Sequence, residues 1–308
     1  MGRYLLRYGN QISQRYLQVT IFWAHSPVYR IRILFYLLCL WPELLMAGQP
    51  PIRIGLTPAI LHDRHAAMVD LRLYLEARTG REVELVLRDS YRQIIDLISH
   101  DQLDFAWVSA YPFVYLQQHA RLRLLAMPLF HGRPFFRAYL IVPAADKSSS
   151  ELLSLQGKIF AFADPYSHTG YLVPRYQLRH AGYDSTTFFA KTFYTGGHKK
   201  VIQAVASELA DGGYVDSFVW DTLALIEPEL TARTRIVTQS GEYGFPPLVA
   251  GRKVKAREFA AMRRILLDMS GNPQGAALLK QLNIDGFVPG DPKWYAEVAR
   301  MMHVMGDR

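Results

Sequence analysis

Ile159-Phe160-Ala161-Phe162-Ala163-Asp164-Pro165-Tyr166-Ser167-His168-Thr169-Gly170-Tyr171-Leu172-Val173-Pro174 runs from an apolar segment through a polar turn into helical spacing. The first five residues read as a strand and Tyr171–His180 as a helix. Such a turn leaves the first helical N–H groups unpaired and sets the positive end of the helix dipole beside side-chain hydroxyls, which together suit a small anion. Ser and Thr also cap helices routinely. The stretch by itself therefore leaves two readings open, an oxyanion site at Ser167, His168 and Thr169 or an ordinary N-cap.

Outward from this segment, from Pro51 onward, apolar runs alternate with longer helical patterns, which predicts an α/β protein with mostly parallel strands. Strands are predicted at Ile52–Thr57, Val83–Leu87, Asp104–Val108, Phe136–Val142, Lys158–Ala163, Phe188–Tyr194, Tyr214–Val219, Arg235–Thr238 and Pro247–Ala250. Apolar residues three and four apart predict helices at Ala66–Arg78, Tyr91–Ser99, Tyr171–His180, His198–Leu209, Asp221–Ile226 and Lys255–Met269, and a terminal helix around Met301-Met302. The polar stretch 144–150 reads as a crossover between two lobes, and a second crossover falls near 239–244. The expected division is discontinuous, with 51–143 plus 245–308 in one lobe and 144–244 in the other.

A chain of 308 residues, half of them apolar, can bury two such lobes. Its formal charge is +8, but five Arg and a single acid precede residue 48, so the remainder carries only +4. No Lys/Arg block or finger spacing is present, which argues against nucleic acid, whereas a mild positive balance fits a small anionic ligand. The single Cys39 excludes an internal disulfide framework and a Cys-rich metal site. Arg30 and Arg32 precede the nine-residue apolar run Ile33–Trp41, and Ala47 follows as a cleavage residue. That is the pattern of a secretory signal and is too short for a spanning helix. Residues 1–47 are accordingly expected to be a signal peptide or a membrane-anchoring segment, with the remainder in the periplasm.

Other strand ends also carry hydrogen-bonding groups, and in open α/β sheets ligands bind beyond the carboxyl ends of strands. Tyr91 follows the second strand, Ser109 and Tyr111 the third, and Thr195-Gly196-Gly197-His198 the sixth, while Asp216-Ser217 lies within the seventh. Each has a plain alternative as a cap, a helix entrance or a core residue.

Several of these blocks together resemble the phosphonate/phosphite/phosphate-type substrate-binding proteins of ABC importers, within the periplasmic binding protein superfamily. The resemblance rests on Ile52–Pro58, Asp104-Phe105-Ala106-Trp107, Gly157-Lys158 through Pro165, Gly170–Pro174, Gly197-His198, Val215-Asp216-Ser217 and Pro246–Ala250. It implies two α/β lobes joined by crossover hinge strands, with a ligand cleft between them. It also implies a ligand set of Tyr91, Ser167, His168, Thr169, His198 and Asp216, to which Ser109 and Tyr111 are added from their positions. The chain departs from the family pattern where His168 replaces a hydroxyl residue, where Tyr166 stands for a small one, and where Val108 replaces a tyrosine that Tyr111 would have to supply.

The function expected on this basis is an exported solute-binding protein that closes on a small phosphorus oxyanion or organophosphonate and presents it to an ABC permease. It would be a monomer with no cofactor and no chemistry of its own. The alternative is a sensor that docks on a membrane receptor kinase or cyclase. An enzyme reading makes Ser167, His198 and Asp216 the nucleophile, base and orienting acid of a hydrolase, but no Gly-x-Ser-x-Gly elbow surrounds Ser167. A metal site from His62, His65 and His168 lacks a closely spaced acidic ligand.

Overall fold

The computed structural model describes residues 49–58 and 65–307. The expected signal or anchor over 1–47, Cys39 and His62 lie outside the described residues. From Pro51 onward the chain forms one unit built on two sheets. The first has six strands and the second five.

The first sheet starts with β1 (Ile52–Leu56), β2 (Val83–Leu87) and β3 (Phe105–Trp107), with β2 and β3 parallel to β1. Helix α1 (His65–Thr79) joins β1 to β2, α2 (Tyr91–Ser99) joins β2 to β3, and α3 (Ala110–His119) leads from β3 to β4 (Arg123–Leu129). Helix α2 is amphipathic: Ile94, Ile95 and Ile98 are buried, and Ser90 caps it by accepting the Gln93 N–H.

The chain then passes through β5 (Phe135–Phe136) into the second sheet, made of β6 (Ala138–Pro143), β7 (Ile159–Phe162), β8 (Lys191–Tyr194), β9 (Gly212–Asp216) and β10 (Thr234–Gln239). Strand β7 is parallel to β8 and β9. A turn at His168–Leu172 and α4 (Val173–His180) follow β7, α5 (His198–Ala206) follows β8, and α6 (Ser217–Ile226) follows β9. The chain returns through β11 (Tyr243–Gly244), which pairs antiparallel with β5, to β12 (Leu248–Ala250) and β13 (Gly286–Val288) of the first sheet. Helices α7 (Ala256–Leu267), α8 (Pro273–Leu282) and α9 (Ala296–Met305) complete the unit. Among the described residues, no helix is long and apolar enough to cross a membrane.

The chain leaves the first sheet earlier than the sequence suggests. Strand β6 pairs with β9 and β10, so the first passage runs through β5 and not through 144–150. The polar composition of 144–150 has a local cause: Asp146 accepts the backbone N–H groups of Ser148 and Ser149 at 2.8 and 3.0 Å and fixes a tight turn after β6. The strand predicted over Tyr214–Val219 stops at Asp216, whose side chain takes the Phe218 N–H and starts α6. In place of an extended start at Phe188, Asp184 caps a helical turn at Ser185–Phe188.

Candidate functional site

Five strands, β2, β3, β7, β8 and β9, end at the N-terminus of a helix or helical turn, and the residues at those ends meet. Tyr91 opens α2, Ser109 is the N-cap of α3, Ser167 is the N-cap of the His168–Leu172 turn, His198 opens α5, and Asp216 is the N-cap of α6. Two of these ends come from the first sheet and three from the second. Ser167 Oγ lies 3.4 Å from His198 Nε2, and the Asp216 N–H donates to His198 Nδ1 at 3.3 Å. Across the gap between the sheets, the His168 N–H donates to Ser109 Oγ at 3.4 Å and the Tyr91 N–H to Asp164 Oδ2 at 3.4 Å. Each unpaired helix start carries part of a positive charge, so five of them facing one spot form an environment for an anion.

The N-cap reading of the polar turn is met in the structure. Ser167 Oγ accepts the Gly170 N–H at 3.0 Å, which is a true N-cap, and the same loop faces the other helix starts. Gly170 is tied to this geometry by space, since a Cβ there would stand 2.5 Å from the Ala163 Cβ and 3.0 Å from both Ser167 Oγ and His198 Cε1. The two sides close tightly: a Cβ on Gly197 would stand 3.4 Å from the Pro58 carbonyl oxygen.

Tyr91, Ser109, Ser167, His168, Thr169, His198 and Asp216 are all buried, with Tyr91, Ser167 and His168 fully so. Burial fixes their charge states. It lowers His198 and His168 to about 3, with His198 adding to the effect on His168. It raises the Asp216 carboxyl to about 8 against the opposing N–H bonds from Phe218 and Val219. The Tyr91 phenol is pushed well above its ordinary value, first by burial and then by Asp164 and Asp216. The Tyr91 hydroxyl lies beside Ser167 yet has no partner in hydrogen-bond geometry, and neither ring nitrogen of His168 has one. Buried polar atoms normally find partners, and these three, on Tyr91 and His168, have none in hydrogen-bond geometry among the described residues.

Two expected features sit differently. Tyr111 is at the edge: burial and the neighbouring Asp307 raise its phenol, and its ring packs on Tyr166 at 5.9 Å. Tyr166 does not fill the site, because its hydroxyl accepts from the Arg92 guanidinium at 2.8 Å across the mouth. Ser167, His198 and Asp216 are adjacent, but not as a catalytic triad. His198 Nδ1 accepts a backbone N–H, so Nε2 carries the proton and faces Ser167 as a donor, while the Asp216 carboxylate caps α6.

Sequence reasoning gave no role to Asp164, which is 5% exposed and spans the gap, binding the Tyr166 N–H at 2.8 Å as well as Tyr91. Its place directly after an apolar strand and before Pro165 was the available signal. Nor did it find Phe136 and Tyr243, paired across β5 and β11, whose rings lie 6.2 and 4.5 Å from that of His168. Only the long-range pairing of the two crossover strands brings them there.

The family described as ABC transporter, phosphonate, periplasmic substrate-binding protein matches residues 54–295. The chain belongs to this phosphonate-binding family. Among its relatives, the phosphate-import protein PhnD of Mycolicibacterium smegmatis is 25% identical over 170 residues, 52% of this chain and 52% of that protein. The chain thus spans about half the length of the curated relative it matches. The crystal structure of a binding protein component of an ABC phosphonate transporter from Pseudomonas aeruginosa superposes with a TM-score of 0.78 at 20% identity, covering 84% of this chain and 87% of that one. PhnD1 from Prochlorococcus marinus, solved in complex with methylphosphonate, gives 0.76 at 18% identity, covering 83% and 98%. At these identities the likeness carries the fold, the two-lobed periplasmic binding protein architecture with a cleft between lobes. In this phosphonate-binding family member, the five helix starts meet where the two sheets face each other.

Proposed function

We propose that this protein binds a small phosphonate or related phosphorus oxyanion in the cleft and delivers it to an ABC importer, making and breaking no bond. The observation that carries the reading is the meeting of five helix N-termini from both sheets at a buried cluster that holds no cationic side chain among the described residues. Hydroxyls, imidazoles and backbone N–H groups would replace the hydration of the oxyanion, each charge-assisted bond contributing about 1.5–3 kcal/mol net. Tyr91, Ser109, Ser167, His168, Thr169, His198 and Asp216 form the ligand shell, with Tyr111 at its mouth. The lobes are the two sheets with their helices, and β5 and β11 are the hinge about which they close. The protein acts in the periplasm, with residues 1–47 serving export or tethering.

Isothermal titration with methylphosphonate, phosphite, phosphate and sulfate tests this reading. One-to-one binding of methylphosphonate without turnover is expected. Failure to bind any of the phosphorus oxyanions, or release of a cleaved product, would refute it.

A further inference from the structure

The polar side chains enclosed at the cleft have an unusual charge balance. Two carboxylates, Asp164 and Asp216, are 5% and 2% exposed, and no Lys or Arg is buried among the described residues. The groups around Asp216 offer it no counter-charge. From α5, His198 uses Nδ1 to accept the Asp216 N–H and so is a neutral donor. From the anion turn, His168 is sealed against Phe136 and Tyr243 with both nitrogens unpartnered. From α2 comes the Tyr91 phenol, and from α6 comes Asp221, which accepts the Tyr139 hydroxyl of β6 at 3.3 Å and is itself acidic. The nearby Arg137 turns away, donating to the Ser240 carbonyl at 2.7 Å and to Glu242 at 3.2 Å.

A buried carboxylate without a cation sheds its charge by holding a proton, and an arriving anion reinforces that tendency. A dianion beside ionised Asp216 and Asp164 would place four negative charges in one enclosure, which five helix starts, each about half a charge, do not offset. We propose that the site takes its ligand as a single negative charge: one proton lies between the Asp216 carboxyl and a ligand oxygen, carried in by a singly protonated phosphonate or recruited when the dianion binds. The protonated carboxyl can donate to the oxyanion while its other oxygen keeps the Phe218 N–H that starts α6. The raised affinity of Asp216 for protons in the empty cleft agrees with this. The proposal rests on the phosphonate-binding reading above and adds the charge state of the ligand.

Calorimetric titration with methylphosphonate from pH 5.5 to 8.5, in pairs of buffers with different heats of ionisation, counts the protons taken up. Uptake approaching one proton per ligand is expected at the alkaline end, where both free methylphosphonate and the Asp216 carboxyl of the empty cleft are largely ionised, and release approaching one at the acid end, where each brings its own proton to the single shared position. Affinity should fall, toward tenfold per pH unit, only once both the ligand's second proton and that of Asp216 are lost, above about pH 8. Asp216→Asn keeps the cap, and in it the alkaline uptake and the fall in affinity should largely disappear. Constant affinity with no uptake in the unaltered protein would overturn the proposal while leaving phosphonate binding intact. Uptake that persists in Asp216→Asn but vanishes in His168→Gln would overturn it by placing the proton on His168. Absence of binding at every pH would overturn the underlying reading, and the proposal with it.

Discussion

The backbone N–H of Asp216 points at Nδ1 of His198 across 3.3 Å, and this contact between a strand end and a helix start determines the proton position on the imidazole. With Nδ1 accepting, the hydrogen sits on Nε2, 3.4 Å from Ser167 Oγ, and burial keeps the ring neutral. Nitrogen-15 spectra of the histidine rings should show His198 as the neutral Nε2–H form at pH 5. A ring that titrates near 6.5, or the opposite tautomer, would contradict the assignment.

The Tyr91 hydroxyl is buried without a protein partner in hydrogen-bond geometry, a cost of about 1–3 kcal/mol to the empty protein. Tyr91→Phe should therefore raise the unfolding free energy of the empty protein by about 1 kcal/mol and weaken methylphosphonate binding roughly tenfold or more. Chemical denaturation and calorimetry on the same preparation check the two signs. A variant that is less stable when empty and binds normally would mark Tyr91 as a core residue.

Stability of the empty protein should peak near neutrality for a reason internal to the cleft. His168 and His198 stand at about 3 in the folded chain, against roughly 6.5 when unfolded, so their contribution is complete above that value and is lost as pH falls toward 3. Asp216 acts in the opposite sense. Its carboxyl is raised to about 8, so its contribution is complete below roughly pH 4 and is lost as pH rises toward 8. Asp164, also raised by burial, flattens the acid limb. The sum places the maximum near pH 6.5, and melting curves of Asp216→Asn should lack the decline between there and pH 8. An unchanged decline would assign it to other groups.

Helix α9 packs on α3 beside the first sheet and on α4 beside the second, and it is tied down by polar contacts. The Arg300 guanidinium donates to the Tyr176 hydroxyl of α4, and Asp307 pairs with Arg175 at 3.2 Å. Both bonds tie α9 to α4, but Asp307 also neighbours Tyr111 at the mouth of the ligand shell, whereas Arg300 contacts none of the shell residues. Arg300→Ala should therefore lower the closed fraction and weaken every ligand by the same factor, roughly threefold or more, without reordering them. A change in ligand ranking would show that the helix touches the site itself.

Much of this arrangement can be read in the sequence, because the groups that start helices and end strands are local. Ile159 to Pro174 specifies a strand, a capped turn and a helix through its own residue types, and Tyr91 and His198 fall where strand ends require them, whereas Asp216 reads as mid-strand and in fact ends its strand as a helix cap. Long-range pairing is less legible. Strand β4 contains Pro128, which reads as a break, yet it lies between β12 and the three-residue β13, where Pro128 pairs with Phe287. Helix α3 carries Pro112 in its first turn, where a missing N–H costs little, and Ala110, Phe113, Val114 and Leu116 are all buried, leaving no amphipathic stripe to detect. The role of Asp164 depends on Tyr91, 73 positions earlier, and no spacing rule links the two.

The central claim is that an oxyanion occupies the cleft where the five helix starts meet, and the most direct test is the position of the phosphorus atom in a crystal of the protein grown with methylphosphonate. The account predicts ligand oxygens within about 2.7–3.2 Å of donors at Thr169, Tyr91 and His198, with Asp216 against one of them. Phosphorus density outside this cluster, with Tyr91 and His168 still unpartnered, would contradict it.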